Sequence, residues 1–125
     1  MAKIKDNALV SVKVASGNLT EAEGKLVTLG ATGAALCADA EVPAAGVVTE
    51  GDDGSGDVGV AILGAYSGTV HFKAGGAVTE GSRLIQNADG TVQNGTAGII
   101  VGVALESAVA GELFEGAPIT PVDCE

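Results

Sequence analysis

One stretch near the C-terminal end constrains the fold more than any other part of the chain. Residues 98–112 read Gly-Ile-Ile-Val-Gly-Val-Ala-Leu-Glu-Ser-Ala-Val-Ala-Gly-Glu. In a strand, side chains alternate between two faces. One face would carry Ile99, Val101, Val103 and Leu105, and the other would carry Ile100, Gly102 and Ala104. Because neither face has a charged side chain, the sequence predicts a strand that is buried on both faces and lies in the middle of a sheet.

Other strand-length segments, separated by turn signals, occupy most of the chain. Alternation predicts strands at 8–14 and 58–62, and shorter extended segments at 25–29, 32–36, 46–49, 69–73, 84–86 and 91–93. We expect segment 69–73 to pair with 58–62. Asp89-Gly90 favours a two-residue type I′ hairpin. Ser107–Ala110 could form one helical turn, and Pro118 and Pro121 keep residues 115–125 as an extended tail.

These segments predict an all-β protein, a small single-domain β-barrel or sandwich with short strands and at most one or two short helical turns. Residues 8–125 would form the single β domain, and residues 1–7 a flexible N-terminal arm. We find no internal repeat and no linker in the sequence.

The composition indicates a monomer of marginal stability. Hydrophobic residues make up 46% of the chain, but the aromatic residues are only Tyr66, Phe72 and Phe114. The core must therefore be built from smaller side chains, each of which buries less surface. The 20 glycines add to the conformational entropy that is lost on folding. Association with other copies or with a larger surface would supply additional burial.

The charge distribution restricts the partners of the chain. A formal net charge of −10 disfavours nucleic acid and anionic lipid, and no apolar run approaches the roughly 20 residues that span a membrane. The N-terminal end is the exception, because Lys3, Lys5 and Lys13 outnumber Asp6. This basic end is either a solvated, frayed terminus or an arm that docks on an acidic surface.

Several short motifs partly match known ligand-binding motifs, but the residues around them do not fit those sites. Gly54, Gly56 and Gly59 match G-x-G-x-x-G, but acidic residues surround them and a strand should follow instead of a helix. Asp53, Ser55 and Asp57 begin like a calcium loop that then lacks its glycine and its glutamate. Gly24-Lys25 lacks the remainder of a P-loop.

The titratable side chains give no catalytic or metal-binding pattern. His71 is the sole histidine, and we expect it on the polar face of its strand. Cys37 and Cys124 are far apart and have no further cysteine or clustered histidine to complete a zinc site. We expect no catalytic, metal or cofactor-binding residues, no cofactor, and no enzymatic activity. Since no secretory signal is readable, reduced thiols in a cytoplasm are expected.

The chain resembles the phage capsid cement proteins, a family of short head-decoration proteins sometimes labelled recombinase-like. The resemblance lies in Gly24-Lys25-Leu26-Val27, in Pro43-Ala44-Ala45-Gly46-Val47, and in the stretch from Gly98 to Glu106 followed by Ala110-Gly111-Glu112. It implies a virion protein made in the host cytoplasm. A homotrimer would sit on the exterior of the capsid, bind the major capsid protein and bridge its subunits.

Within that interpretation, the basic arm is the candidate capsid contact, through Lys3, Ile4, Lys5 and Asn7. The alternative is an extracellular or surface β-module that binds a glycan or a cation through the acidic loop 50–57. Glycan binding normally uses several stacked aromatic side chains, and this chain has few.

Overall fold

The protein folds into ten β-strands. The computed structural model describes residues 9–15, 19, 22–51, 56–64 and 68–124, and no helix occurs among them. Residues 107–110, predicted as a helical turn, lie instead in a non-helical connection between two strands. The strands are β1 Leu9–Lys13, β2 Leu26–Gly30, β3 Gly33–Leu36, β4 Gly46–Glu50, β5 Asp57–Ile62, β6 Val70–Lys73, β7 Arg83–Gln86, β8 Val92–Asn94, β9 Gly98–Ala104 and β10 Leu113–Cys124.

The strands form two antiparallel sheets. Sheet A has the order β1-β5-β4-β2-β3, and sheet B has the order β6-β10-β9-β7-β8. The all-β prediction is confirmed, and the architecture is a small β-sandwich and not a closed barrel. The predicted pairing of segments 69–73 and 58–62 is wrong, because β6 pairs with β10 whereas β5 pairs with β1 and β4.

The second half of the chain repeats the topology of the first half. Adding five to each strand number of sheet A gives the strand order of sheet B. The registers also correspond, since Leu26 opposes Val47 in sheet A and Arg83 opposes Val103 in sheet B. A parallel bridge follows the first strand of each half, joining Val14 to Ala34 and Ala74 to Val92. The structure therefore contains a duplication that the sequence did not show.

The two sheets use different faces in the shared core. We call the face of sheet A with Leu26, Val47 and Ala61 its front face; the register-equivalent front face of sheet B carries Arg83, Val103 and Ala117. The opposite faces are the back faces. The front face of sheet A belongs to one core cluster with the back face of sheet B, which includes Leu84, Ala104 and Phe114. The back face of sheet A forms a second cluster, which includes Val27, Val48, Val60 and Leu19.

β9 lies between β10 and β7, so the prediction of a central strand is confirmed. Its predicted alternation fails at a register shift, which separates the pair Leu84–Gly102 from the pair Ile85–Ile100. On the two sides of this irregularity, Ile99, Val101 and Ala104 all reach the core, whereas Leu105 is 42% exposed. A bulge of this kind switches the face on which successive side chains lie.

The predicted C-terminal tail is a strand of sheet B. β10 pairs with β6 through its first residues and with β9 along most of its length. Its register shifts between Pro118 and Val122. Because proline has no backbone N–H to donate, an irregularity is where a strand accommodates prolines.

Two connections in the second half interlock around a local pseudo-twofold axis. The amide of Val78 donates to the carbonyl of Ala108 at 2.9 Å, and the amide of Ala108 donates to the carbonyl of Val78 at 3.0 Å. Gly81 and Gly111 occupy equivalent turns with φ of 88° and 93°, a backbone region that favours glycine. Their amides donate to the carbonyls of Ala104 and Ala74, respectively.

Candidate functional site

A shallow groove at the junction of the two halves is the candidate site with the most titratable groups. Its volume is about 240 Å³. The side chains come from the loop before β2, from β4, from β6 and the residue preceding it, and from β10. They are Glu23, Val48, Thr49, Thr69, Val70, His71 and Glu115. Apolar side chains and carboxylates therefore meet at a surface that both repeats build.

The polar groups of this groove are exposed and weakly coupled. The Nδ1 atom of His71 lies 4.0 Å from Oε2 of Glu23, with 58% and 51% of the two side chains exposed. The hydroxyl of Thr69 donates to Oε2 of Glu115 at 2.6 Å. An exposed pair of this kind contributes roughly 0–1 kcal/mol to stability. As predicted, His71 lies on the exposed face of its strand, whereas Val70 and Phe72 are buried.

The groove does not assemble a nucleophile and a base among the described residues. Within them, no hydroxyl or thiol hydrogen-bonds to His71, whose charged neighbour is Glu23. Cys37 is buried, and Nε2 of Gln86 lies 3.4 Å from its Sγ. Ser67, which precedes His71 by four residues, lies outside the described residues.

The acidic loop 50–57 is described only at its ends. Asp52 to Ser55 lie outside the described residues, whereas Gly56 and Asp57 lead directly into β5. This strand confirms that no helix follows the G-x-G-x-x-G match. In the described ranges, no cluster of three or more histidine, cysteine or acidic residues is arranged to hold a metal ion.

The candidate contact arm cannot be placed in the structure. Lys3, Ile4, Lys5 and Asn7 all lie outside the described residues. The strand that follows them, β1, is at the edge of sheet A.

A second depression lies at the β7–β8 edge of sheet B. It has a volume of about 420 Å³ and is lined by Ser82, Arg83, Asn94, Gly95 and Thr96. Arg83 is the sole arginine of the chain, and it is exposed at the start of β7. It forms no ion pair with any of the described side chains. Sequence reasoning did not single out this residue, because no motif surrounds it.

Sequence reasoning also missed the front face of sheet B. Leu105, Leu113 and Val122 are 42%, 41% and 49% exposed there or at its margin. The front face of sheet A is buried by comparison. Only the duplication makes the contrast visible, since both segments look like ordinary apolar strands in the sequence.

Comparisons with known proteins show a likeness in fold. No protein family model and no curated protein matches the chain. The fold is similar to the crystal structure of the N base of the head fiber protein gp8.5 of bacteriophage phi29, with a TM-score of 0.65 and 17% sequence identity. The similarity covers 94% of this chain and 97% of that one. It therefore concerns the arrangement of both repeats.

Among the described residues, no helix is long and apolar enough to cross a membrane.

Proposed function

We propose that the protein is a structural component of a phage head that attaches to the exterior of the capsid and stabilises the shell. The observation that carries this proposal is the similarity to the phi29 head fiber base over nearly the full length of both chains. The resemblance to capsid cement proteins at 24–27, 43–47 and 98–112 points to the same class of protein. The two arguments concern different features, because one uses the backbone and the other uses short sequence motifs.

The proposed mechanism is binding without turnover. A homotrimer would engage three equivalent surfaces of the major capsid protein at once, so that weak individual contacts add up through a high effective concentration. Bridging neighbouring subunits would oppose their separation. The acidic net charge of −10 would keep such a protein away from the genome.

The test uses the purified full-length protein and empty phage heads. Native mass measurement should show three times the 12.1 kDa chain, and the protein should cosediment with the heads and raise the temperature at which they break. A species that stays a monomer and passes over the heads without binding would contradict the proposal. An unrelated acidic protein of similar size controls for trapping in the pellet.

The arm is the part of this mechanism that truncation tests directly. We expect deletion of residues 2–7 to lower occupancy on the heads by at least about tenfold, because Lys3, Ile4 and Lys5 would be lost from the contact. Lys3→Gln with Lys5→Gln should give part of that loss, whereas Lys13→Gln on β1 should give none. Undiminished occupancy of the truncated protein would remove the arm from the mechanism.

The alternative, a cation-binding or glycan-binding surface module, makes a different prediction. Its melting temperature should rise with calcium and fall with chelator, since a ligand that binds only the folded state stabilises that state. The capsid proposal predicts a melting curve that neither reagent changes.

A further inference from the structure

The front face of sheet B carries an apolar strip that crosses three strands. Ile85 opposes Ile100, which in turn opposes Val122. In the next row, Val103 opposes Ala117. Directly opposed residues lie on the same face of a sheet with their Cβ atoms about 5 Å apart, so each row is continuous.

The end of this strip is exposed and apolar as well. Leu105 leaves β9 with its amide bonded to the carbonyl of Glu115, and Leu113 lies two residues before Glu115 on β10. Diagonal neighbours of this kind are within reach of each other's side chains. The strip therefore ends in two leucines that are each more than 40% exposed.

The duplication shows that the equivalent face in sheet A is an interface. Leu26, Val47 and Ala61 are at most 1% exposed, because the back face of sheet B covers them. Their counterparts Val103 and Ala117 are partly exposed in the part of the chain that the structure describes. The first repeat buries this face completely, whereas the second leaves it partly exposed: Ile100 in the middle of the strip is 3% exposed, but Val122 beside it is 49% exposed.

Opposite charges flank the strip on its two sides. Arg83 stands on the β7 side, and Glu80 is in the turn before it. On the β6 side, Glu23 and Glu115 outnumber Lys73, with His71 between them. A copy of the chain thus offers a cationic guanidinium on one side and an excess of carboxylates on the other. Such a surface is complementary to itself.

We propose that the front face of sheet B is where copies of this chain meet, with Arg83 of one copy against Glu115 of the next. Around a threefold axis, each copy turns this face inward and its β7 side meets the β6 side of its neighbour. The inference rests on the proposed self-association and names the surface responsible for it. Buried arginines are among the residues that most often dominate the energy of such contacts.

Charge reversal and its repair test the proposal on the full-length protein. Arg83→Glu and Glu115→Arg should each weaken self-association at least about tenfold in sedimentation or native mass measurements. The double variant carrying both substitutions should recover to within about threefold of the unmodified protein. Lys13→Glu makes the same charge change as Arg83→Glu on sheet A and should leave assembly unchanged. Circular dichroism and melting temperature verify that each variant is folded.

Leu105→Gln gives a second test that does not depend on charge. The substitution places a polar side chain at a position that is 42% exposed in the single chain. It should therefore weaken assembly and leave the melting temperature of the dissociated chain unaltered. If the unmodified protein assembles and the charge variants assemble equally well, the proposed interface is wrong, but self-association itself is supported. If these variants keep their assembly and lose only the heads, the face docks on the shell and the inference is overturned. A protein that is a monomer at every concentration would contradict both.

Discussion

Gln86 is a single side chain that joins the two repeats. It lies on β7 with 2% of its surface exposed. Its Nε2 donates to the carbonyls of Val42 at 2.6 Å and Asp39 at 3.1 Å, and its Oε1 accepts from the amide of Ala44 at 3.1 Å. One amide group therefore satisfies three backbone groups in the connection that follows β3 in the first half.

Gln86→Leu should destabilise the protein by roughly 1–3 kcal/mol, because the buried amide of Ala44 would lose its acceptor and a buried backbone group without a partner costs about that much. Urea unfolding measures this difference. Gln93→Leu on the neighbouring strand β8 is the matched control, because Gln93 is only partly buried, and it should change stability by less than about 0.5 kcal/mol. Equal losses in the two variants would show that the buried amide network has no special role.

Asp89 gives the fold a dependence on pH. The hydroxyl of Thr91 donates to its Oδ1 at 2.5 Å and the amide of Thr91 donates at 3.1 Å. The hydroxyl bond, supported by backbone amides and by Lys25, holds the pKa of Asp89 below its usual value, although partial desolvation opposes this. A carboxyl with a lowered folded-state pKa stabilises the fold above its unfolded-state pKa, near 3.9, and loses that contribution as the pH falls through the folded-state value.

Asp89→Asn should therefore lower the melting temperature most at pH 7, and the difference from the unmodified protein should shrink below about pH 4. Thermal melts between pH 2 and pH 7 follow this difference. Glu80→Gln controls for the general effect of removing one negative charge. A difference that stays constant over the whole range would mean that ionisation of Asp89 does not contribute.

At the level of strands, the sequence identified where strands form and missed how they pair. Alternation located β1 and β5 within one or two residues, and two-sided apolar character placed β9 in the centre of a sheet. Pairing failed for β6, since its partner β10 lies some forty residues away and the local pattern fits several partners. Asp89-Gly90 marked the correct turn, but the loop runs from Asn87 to Thr91 and is longer than a two-residue hairpin.

The crossing of β10 over Phe72 requires a residue without a side chain. A Cβ atom at Gly116 would lie 2.7 and 2.8 Å from two atoms of the Phe72 ring, which is fully buried. Phe72 packs on Phe114 with ring centroids 6.0 Å apart, so the ring has little freedom to withdraw. The aromatic pair of the core thus depends on a glycine in a neighbouring strand.

Gly116→Ala should cost about 1–3 kcal/mol through overpacking of this site. Adding Phe72→Leu should recover part of the loss, because the smaller side chain leaves room for the new methyl group. Gly30→Ala at the end of β2, where a Cβ atom would meet nothing within 4 Å, is the control and should be close to neutral. Denaturant unfolding of the four proteins gives the comparison. A neutral Gly116→Ala would show that the sheet shifts freely around the ring.

For the whole molecule, the duplication could not be detected in the sequence, because equivalent positions of the two repeats carry different residues. Arg83 stands where the first half has Leu26, and Leu84 where it has Val27. The spacing between strands also differs, since the connection before β2 is longer than its counterpart before β7. What the two halves retain is the strand order and the register, which the backbone reveals and residue identity does not. The candidate groove could not be predicted from the sequence for a similar reason: Glu23 and His71 come from different halves, and only the fold brings them together.

The shared core predicts that both repeats unfold together. Leu26 of the first half and Leu84, Val101 and Phe114 of the second belong to one cluster, and all are at most 1% exposed. Leu26→Ala should cost about 2–5 kcal/mol. In native-state hydrogen exchange, the amides of β9 should lose as much protection as those of β4. Of these two strands, β4 pairs with β2, which carries the substitution, and β9 does not. If β9 kept its protection, the repeats would be independent folding units. In that case, only interactions within the second repeat would keep the front face of sheet B folded.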